Sequence, residues 1–125
     1  MDMFDALKND GKARIIQELV PGKQITLAHV IANPDPVLYQ KLGLDPAESH
    51  TGTAIGILTV SPSETAIIAG DIATKSSGAK LGFVDRFSGT VIITGTVSEV
   101  EASLKAITEY ISGKLGFSVC EVTRT

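Results

Sequence analysis

Apolar and polar positions along this chain change period often enough, with glycine and proline between them, to mark out its elements one by one. Arg14 to Val20 reads as a short strand stopped by Pro21-Gly22. Gln24 to Ala32 alternates well enough for a second strand, with Ile25, Leu27 and His29 predicted on one face and Thr26, Ala28 and Val30 on the other. Apolar side chains on both faces make it a central strand. Asn33-Pro34 is predicted to open a short helix, with Asn33 as N-cap, Leu38 and Leu42 on its apolar side and Gly43 at its end. Asp45 to Gly52 is polar loop, and Ala54 to Val60 is the next strand.

Ser61-Pro62-Ser63-Glu64 has the form of a capping box and starts a helix running to about Ser76, closed by Gly78. Ala66, Ala69, Gly70 and Ala73 give that helix a face of small residues, which lets a neighbour approach its backbone closely. Gly82 to Gly95 reads as a hairpin: two runs rich in β-branched and aromatic residues around Arg86-Phe87-Ser88-Gly89. Ser98-Glu99-Val100-Glu101 offers a second capping box. Val100, Leu104, Ile107 and Ile111 then recur as the stripe of an amphipathic helix that stops between Gly113 and Gly116. Phe117 to Thr123 is the last predicted strand. The order from Gln24 onward is strand, short helix, strand, helix, strand, strand, helix, strand, an α+β arrangement of one sheet with helices packed on it. Residues 54–113 approach a ferredoxin-like split β-α-β unit.

Composition sharpens this picture. With 125 residues the chain makes one domain, and 43% hydrophobic residues without any tryptophan make a core of small aliphatic side chains. A domain this small and this apolar is expected to hide part of its surface against identical copies. A net charge of -3 and the lack of a basic run argue against nucleic acid, and no apolar run reaches membrane-spanning length. One cysteine, Cys120, excludes an internal disulfide. The N-terminus has no signal-peptide pattern, so a cytoplasmic location is expected. Residues 1–13 read as a loose arm anchored at most by Phe4 and Leu7.

Candidate chemistry is sparse. His29 and His50 lie in a predicted core strand and a polar loop, neither at metal-ligand spacing from another His, Cys or carboxylate. No metal or cofactor is expected. Gly52 to Gly56 precedes and enters a strand, whereas a phosphate loop joins a strand to a helix. Asp85-Arg86 admits a substrate clamp or an ion pair, within the loop or between subunits. No nucleophile, base or metal set is assembled, so binding or assembly is favoured over catalysis. The alternative functional class is a small-molecule-binding oligomer of ferredoxin-like subunits, with Arg86 gripping an anion at a subunit interface.

Several long motifs carry a family resemblance. Ala54-Ile55-Gly56-Ile57-Leu58, the helix containing Asp71 and Lys75, Gly82-Phe83, Ser88-Gly89-Thr90-Val91 and Thr94-Gly95-Thr96-Val97 resemble the bacterial microcompartment (BMC) shell domain. Arg14 to Pro34 and Gly82 to Gly89 resemble, more narrowly, the circularly permuted shell proteins of ethanolamine- and propanediol-utilisation compartments. In the unpermuted family a strand and short helix like His29-Val30-Ile31-Ala32-Asn33-Pro34 and the helix to Leu42 end the domain; here they begin it. The resemblance covers nearly everything after Lys12 and divides the chain into an arm (1–13), a strand segment (14–22) and a circularly permuted BMC domain (23–125).

This resemblance implies a homo-hexamer that tiles with other shell proteins around encapsulated enzymes. It implies that Arg86, Phe87, Ser88 and Gly89 line a central pore, and that Lys75 sits at the hexamer edge against its counterpart. It further implies that Arg14, Ile15, Ile16, Gln17 and Glu18 join their symmetry mates in a small barrel capping the pore. Asn33 stands where unpermuted relatives carry an edge arginine. Phe87 stands where they carry glycine, which narrows or closes the opening.

Overall fold

The computed structural model describes residues 22–44 and 53–125. Its elements are β1 (Gln24–Ile31), α1 (Val37–Lys41), β2 (Ala54–Ser61), α2 (Thr65–Ser76), β3 (Lys80–Asp85), β4 (Thr90–Gly95), α3 (Val97–Leu115) and β5 (Thr123–Arg124). The strands form one mixed sheet in the order β3-β4-β2-β1-β5, antiparallel except where β5 runs parallel to β1. Taken without β1, the units β2-α2-β3 and β4-α3-β5 build a ferredoxin-like α+β layer. β1 is inserted between its first and last strands.

Both long helices cover one face of the sheet, where Ile25, Ala28, Val30, Leu58, Val91 and Ile93 meet Val100, Leu104, Ile107 and Ile111. Close approach is built into the sequence at two glycines: a Cβ on Gly56 would lie 2.6 Å from a Val100 methyl, and one on Gly70 would lie 3.1 Å from Val84. Ala66, Ala69 and Ala73 complete the small face of α2 and are fully buried. Polar groups in this seam are paired: buried Ser103 donates to the Ala73 carbonyl at 3.2 Å and shares a 2.7 Å contact with Ser77. The opposite face has a smaller core of Leu44, Ile55 and Ile92, covered by Leu38 and Tyr39 from α1.

Three local expectations are corrected. Asn33 does not cap α1; Asp35 does the equivalent work, its carboxylate accepting from Val37 N at 3.0 Å and its carbonyl from Leu38 N at 2.9 Å. Ser61 is the last residue of β2 and cannot cap α2. The helix is entered through three tight i to i+3 bonds from Thr65, Ala66 and Ile67, while Ser63 donates to the Glu64 carboxylate at 2.8 Å. The capping box of α3 is Thr96 with Glu99, two residues before the predicted one, with both reciprocal bonds formed at 3.1 and 2.9 Å. Gly116, at φ 72, ends that helix in the left-handed conformation.

The faces of β1 also differ from simple alternation. A register shift between Ile25 and Leu27 puts Ile25, Ala28 and Val30 together in the core and leaves Leu27 40% exposed. The predicted strand from Phe117 shrinks to two residues, with a single isolated bridge between Gln24 and Ser118. Phe117, Cys120 and Val122 instead turn toward the main core. The predicted strand at Arg14 to Val20, the loop carrying His50 and the arm at 1–13 lie outside the described residues.

Candidate functional site

The loop between β3 and β4 is four residues long, and its shape follows from one carboxylate and one glycine. Asp85 ends β3 opposite Thr90, the first residue of β4. Its Oδ1 accepts from Phe87 N at 2.8 Å and its Oδ2 from the Ser88 hydroxyl at 2.8 Å. These bonds, the Phe87 N–H foremost, hold the carboxyl below the usual aspartate value. Gly89 N donates to the Asp85 carbonyl at 2.9 Å, and Gly89 O accepts from Val60 N at 2.9 Å, tying the loop to the end of β2. Gly89 has φ 75, and a Cβ there would stand 2.2 Å from the Val60 oxygen. Only glycine fits.

The loop's other two side chains project outward. Phe87 is 81% exposed, the most exposed large apolar side chain among the described residues, and the Arg86 guanidinium lies 4.9 Å from its ring centroid. Among the described residues Arg86 makes no ion pair with Asp85, contrary to the pairing within the loop that their adjacency suggested.

Lys75 lies in the last turn of α2, with its ammonium 2.8 Å from the Asp71 carboxylate one turn earlier. Hydrogen bonding to Asp71, followed by its charge, raises the lysine above its ordinary value. Both side chains are exposed, and with Ile68, Ile72, Ser76 and Tyr110 they line a shallow depression of about 320 Å³ between α2 and α3. Sequence reading missed this pair, although its i, i+4 spacing was the signal. Asn33 is exposed after β1 and forms no hydrogen bond among the described residues. The segment Arg14 to Glu18 lies outside them.

Two distances relate these positions. A Cβ on Gly89 would be 3.1 Å from Ser63 Cα, so the loop abuts the entrance of α2. Lys75 is twelve residues further along, about 18 Å at the helical rise. The loop and the lysine therefore occupy opposite ends of one rigid helix. A Cβ on Gly22 would lie 4.0 Å from Ser61 Cβ, so Gly22 is at the loop's end of the subunit.

His29 is accounted for structurally: its ring nitrogens contact the hydroxyls of Thr123 at 2.6 Å and Thr125 at 2.9 Å, fastening β5 to β1. Among the described residues no group of three His, Cys, Asp or Glu side chains is placed to hold a metal, and no helix is long and apolar enough to cross a membrane.

Known proteins share this architecture. The BMC domain family model matches residues 54–122, which leaves β1 and α1 ahead of the match. The microcompartment shell protein PduU of Salmonella typhimurium is 56% identical over 112 residues, covering 90% of this chain and 93% of its own. Among solved structures, the flat hexamer of CutR superposes with a TM-score of 0.77 at 49% identity, over 85% of this chain and 94% of that one. A screw form of CutR superposes with a TM-score of 0.74 at 48% identity, over 84% and 100%.

Proposed function

The chain belongs to the BMC domain family, in its circularly permuted form, as a structural shell protein of a bacterial microcompartment and not an enzyme, and on that premise we propose how its surfaces are used. Six copies form a ring in which Arg86, Phe87, Ser88 and Gly89 of each copy make a collar around the axis, and Lys75 lies at the outer rim where one tile meets the next. The observation that carries this reading is the placement of the loop and of Lys75 at opposite ends of α2. One end serves a centre and the other a perimeter.

The ring reading also accounts for the exposed apolar side chains. Ile67 and Ile68 on α2, Leu81 and Phe83 on edge strand β3, and Phe87 in the loop are each 43% or more exposed in the single subunit. Unpaired edge strands and exposed aromatic groups are covered when copies pack side by side. Gly22 lies on the loop's side of the subunit, which supports the reading that Arg14, Ile15, Ile16, Gln17 and Glu18 serve as the cap over the collar. The rim contacts other shell proteins, and the compartment's enzymes lie on one side of the tile.

A cysteine scan tests the collar. Phe87→Cys should give disulfide-linked dimers on mild oxidation, because six thiols then surround one axis and pair two by two. Ile67→Cys and the unaltered protein serve as controls. If Phe87→Cys crosslinks no better than these, the loop does not face its symmetry mates.

A further inference from the structure

We infer that Asp85 is the positioning residue of the collar: its carboxylate takes up the loop's own donors and so leaves the Arg86 guanidinium to lie on the Phe87 ring. The inference takes its meaning for the tile from the collar reading above, while its geometry stands within one subunit. Asp85 is the last residue of β3, and all of its acceptor atoms are turned into the loop. Each carboxylate oxygen accepts one loop donor at 2.8 Å, Phe87 N on Oδ1 and the Ser88 hydroxyl on Oδ2. Ser88 Oγ is also 2.9 Å from Thr90 Oγ1, so the hydroxyl links the carboxylate to the first residue of the returning strand. The Asp85 carbonyl receives Gly89 N at 2.9 Å, which makes this one residue the acceptor for three of the four loop residues.

The fourth is Arg86, and what Asp85 does not do for it matters most. A carboxylate and a guanidinium on adjacent residues attract each other, and an arginine drawn back to Asp85 would leave Phe87 bare. With both oxygens engaged by loop donors, the carboxylate has less to offer. The guanidinium lies over the ring, 4.9 Å from its centroid. The exposed unit at the loop tip is therefore a cation stacked on an aromatic ring, held by a residue that stays behind it. An asparagine at position 85 could accept from Phe87 N but would turn a donor toward Ser88, and alanine would keep only the backbone bond from Gly89 N.

Hydrogen–deuterium exchange of the assembled protein tests this, with mass spectrometry reading the loop at residues 86–89 against the core of α3. An amide held by an acceptor exchanges slowly, and water reaches a ring's axis where a protease does not. Asp85→Ala should raise the ratio of loop exchange to α3 exchange tenfold or more with the thermal midpoint of the domain preserved. Asp85→Asn and Ser88→Ala should each give a smaller rise, about three- to fivefold, and Asp85→Ala/Ser88→Ala no more than Asp85→Ala alone. A ratio within twofold of the unaltered protein overturns the inference. Equal acceleration in the loop and in α3 overturns it as well, because Asp85 would then support the whole domain. If Asp85→Ala fails to fold, Asp85→Asn and Ser88→Ala decide the matter by the same ratio. A responsive ratio without Phe87→Cys crosslinking leaves Asp85 as loop anchor and removes the collar; crosslinking with a flat ratio does the reverse.

Discussion

At Gly89 two demands fall on one residue: a left-handed backbone, at φ 75, and a neighbour, the Val60 oxygen, standing where a side chain would begin. Gly89→Ala therefore meets both a conformational cost of about 1–2 kcal/mol and displacement of the Val60 N to Gly89 O bond. A loss of about 2 kcal/mol or more is expected in urea unfolding at fixed protein concentration; a loss below about 0.5 kcal/mol would show that the loop shifts freely off β2. The glycine was legible in the sequence as a turn residue, but its contact with β2 was not, because Val60 is 29 positions earlier and local pattern carries no record of it. Asp85 was hidden for a related reason. Its neighbour Arg86 offered an obvious ion pair, whereas the donors that engage it are a backbone amide and a hydroxyl. His29 was legible as a strand residue, while the threonines that satisfy it, Thr123 and Thr125, lie more than ninety positions later.

Among the elements, α3 shows where a pattern can be right in kind and wrong in phase. Thr96 with Glu99 and Ser98 with Glu101 both fit a capping box, and only the end of β4 at Gly95 selects the first. Glu101 then serves elsewhere, 3.3 Å from Lys105. Thr96→Ala should cost about 1 kcal/mol and Ser98→Ala close to none, measured side by side by thermal or urea unfolding; equal costs would return the cap to Ser98. The long helices and the hairpin were legible because their stripes and turn residues are local. The bulge in β1 was not, since one extra residue reverses every later side chain without altering composition. Nor was the shortness of β5, for Phe117, Cys120 and Val122 are spaced by three and then two residues, and packing at that spacing breaks the alternation a paired strand needs.

For the whole molecule, the decisive question is what joins one tile to the next, and Lys75 gives a clean handle on it. Its ion pair with Asp71 is exposed and screened by solvent, so it contributes little to the helix and Lys75→Asp should fold as before. Soluble hexamers should persist by light scattering while extended sheets vanish under electron microscopy; unchanged sheets would remove Lys75 from the rim. The α+β class and the order of elements from Gln24 onward were legible from sequence, because each element is set by its own neighbourhood. The sheet order was not. β1 enters between β2 and β5, the parallel pairing on which the permutation depends, and His29 meets Thr123 across 94 positions of sequence. That separation sets a schedule for the nascent chain. As the ribosome works along the message, β2, β4 and β3 can zip together early, but the outer flank of β1 stays open until residue 123 has been made. Loop closure over so long a span is the slowest kind of contact to form. The codons around residue 123 thus decide when a subunit stops being a template for strand exchange and becomes a closed piece of the shell.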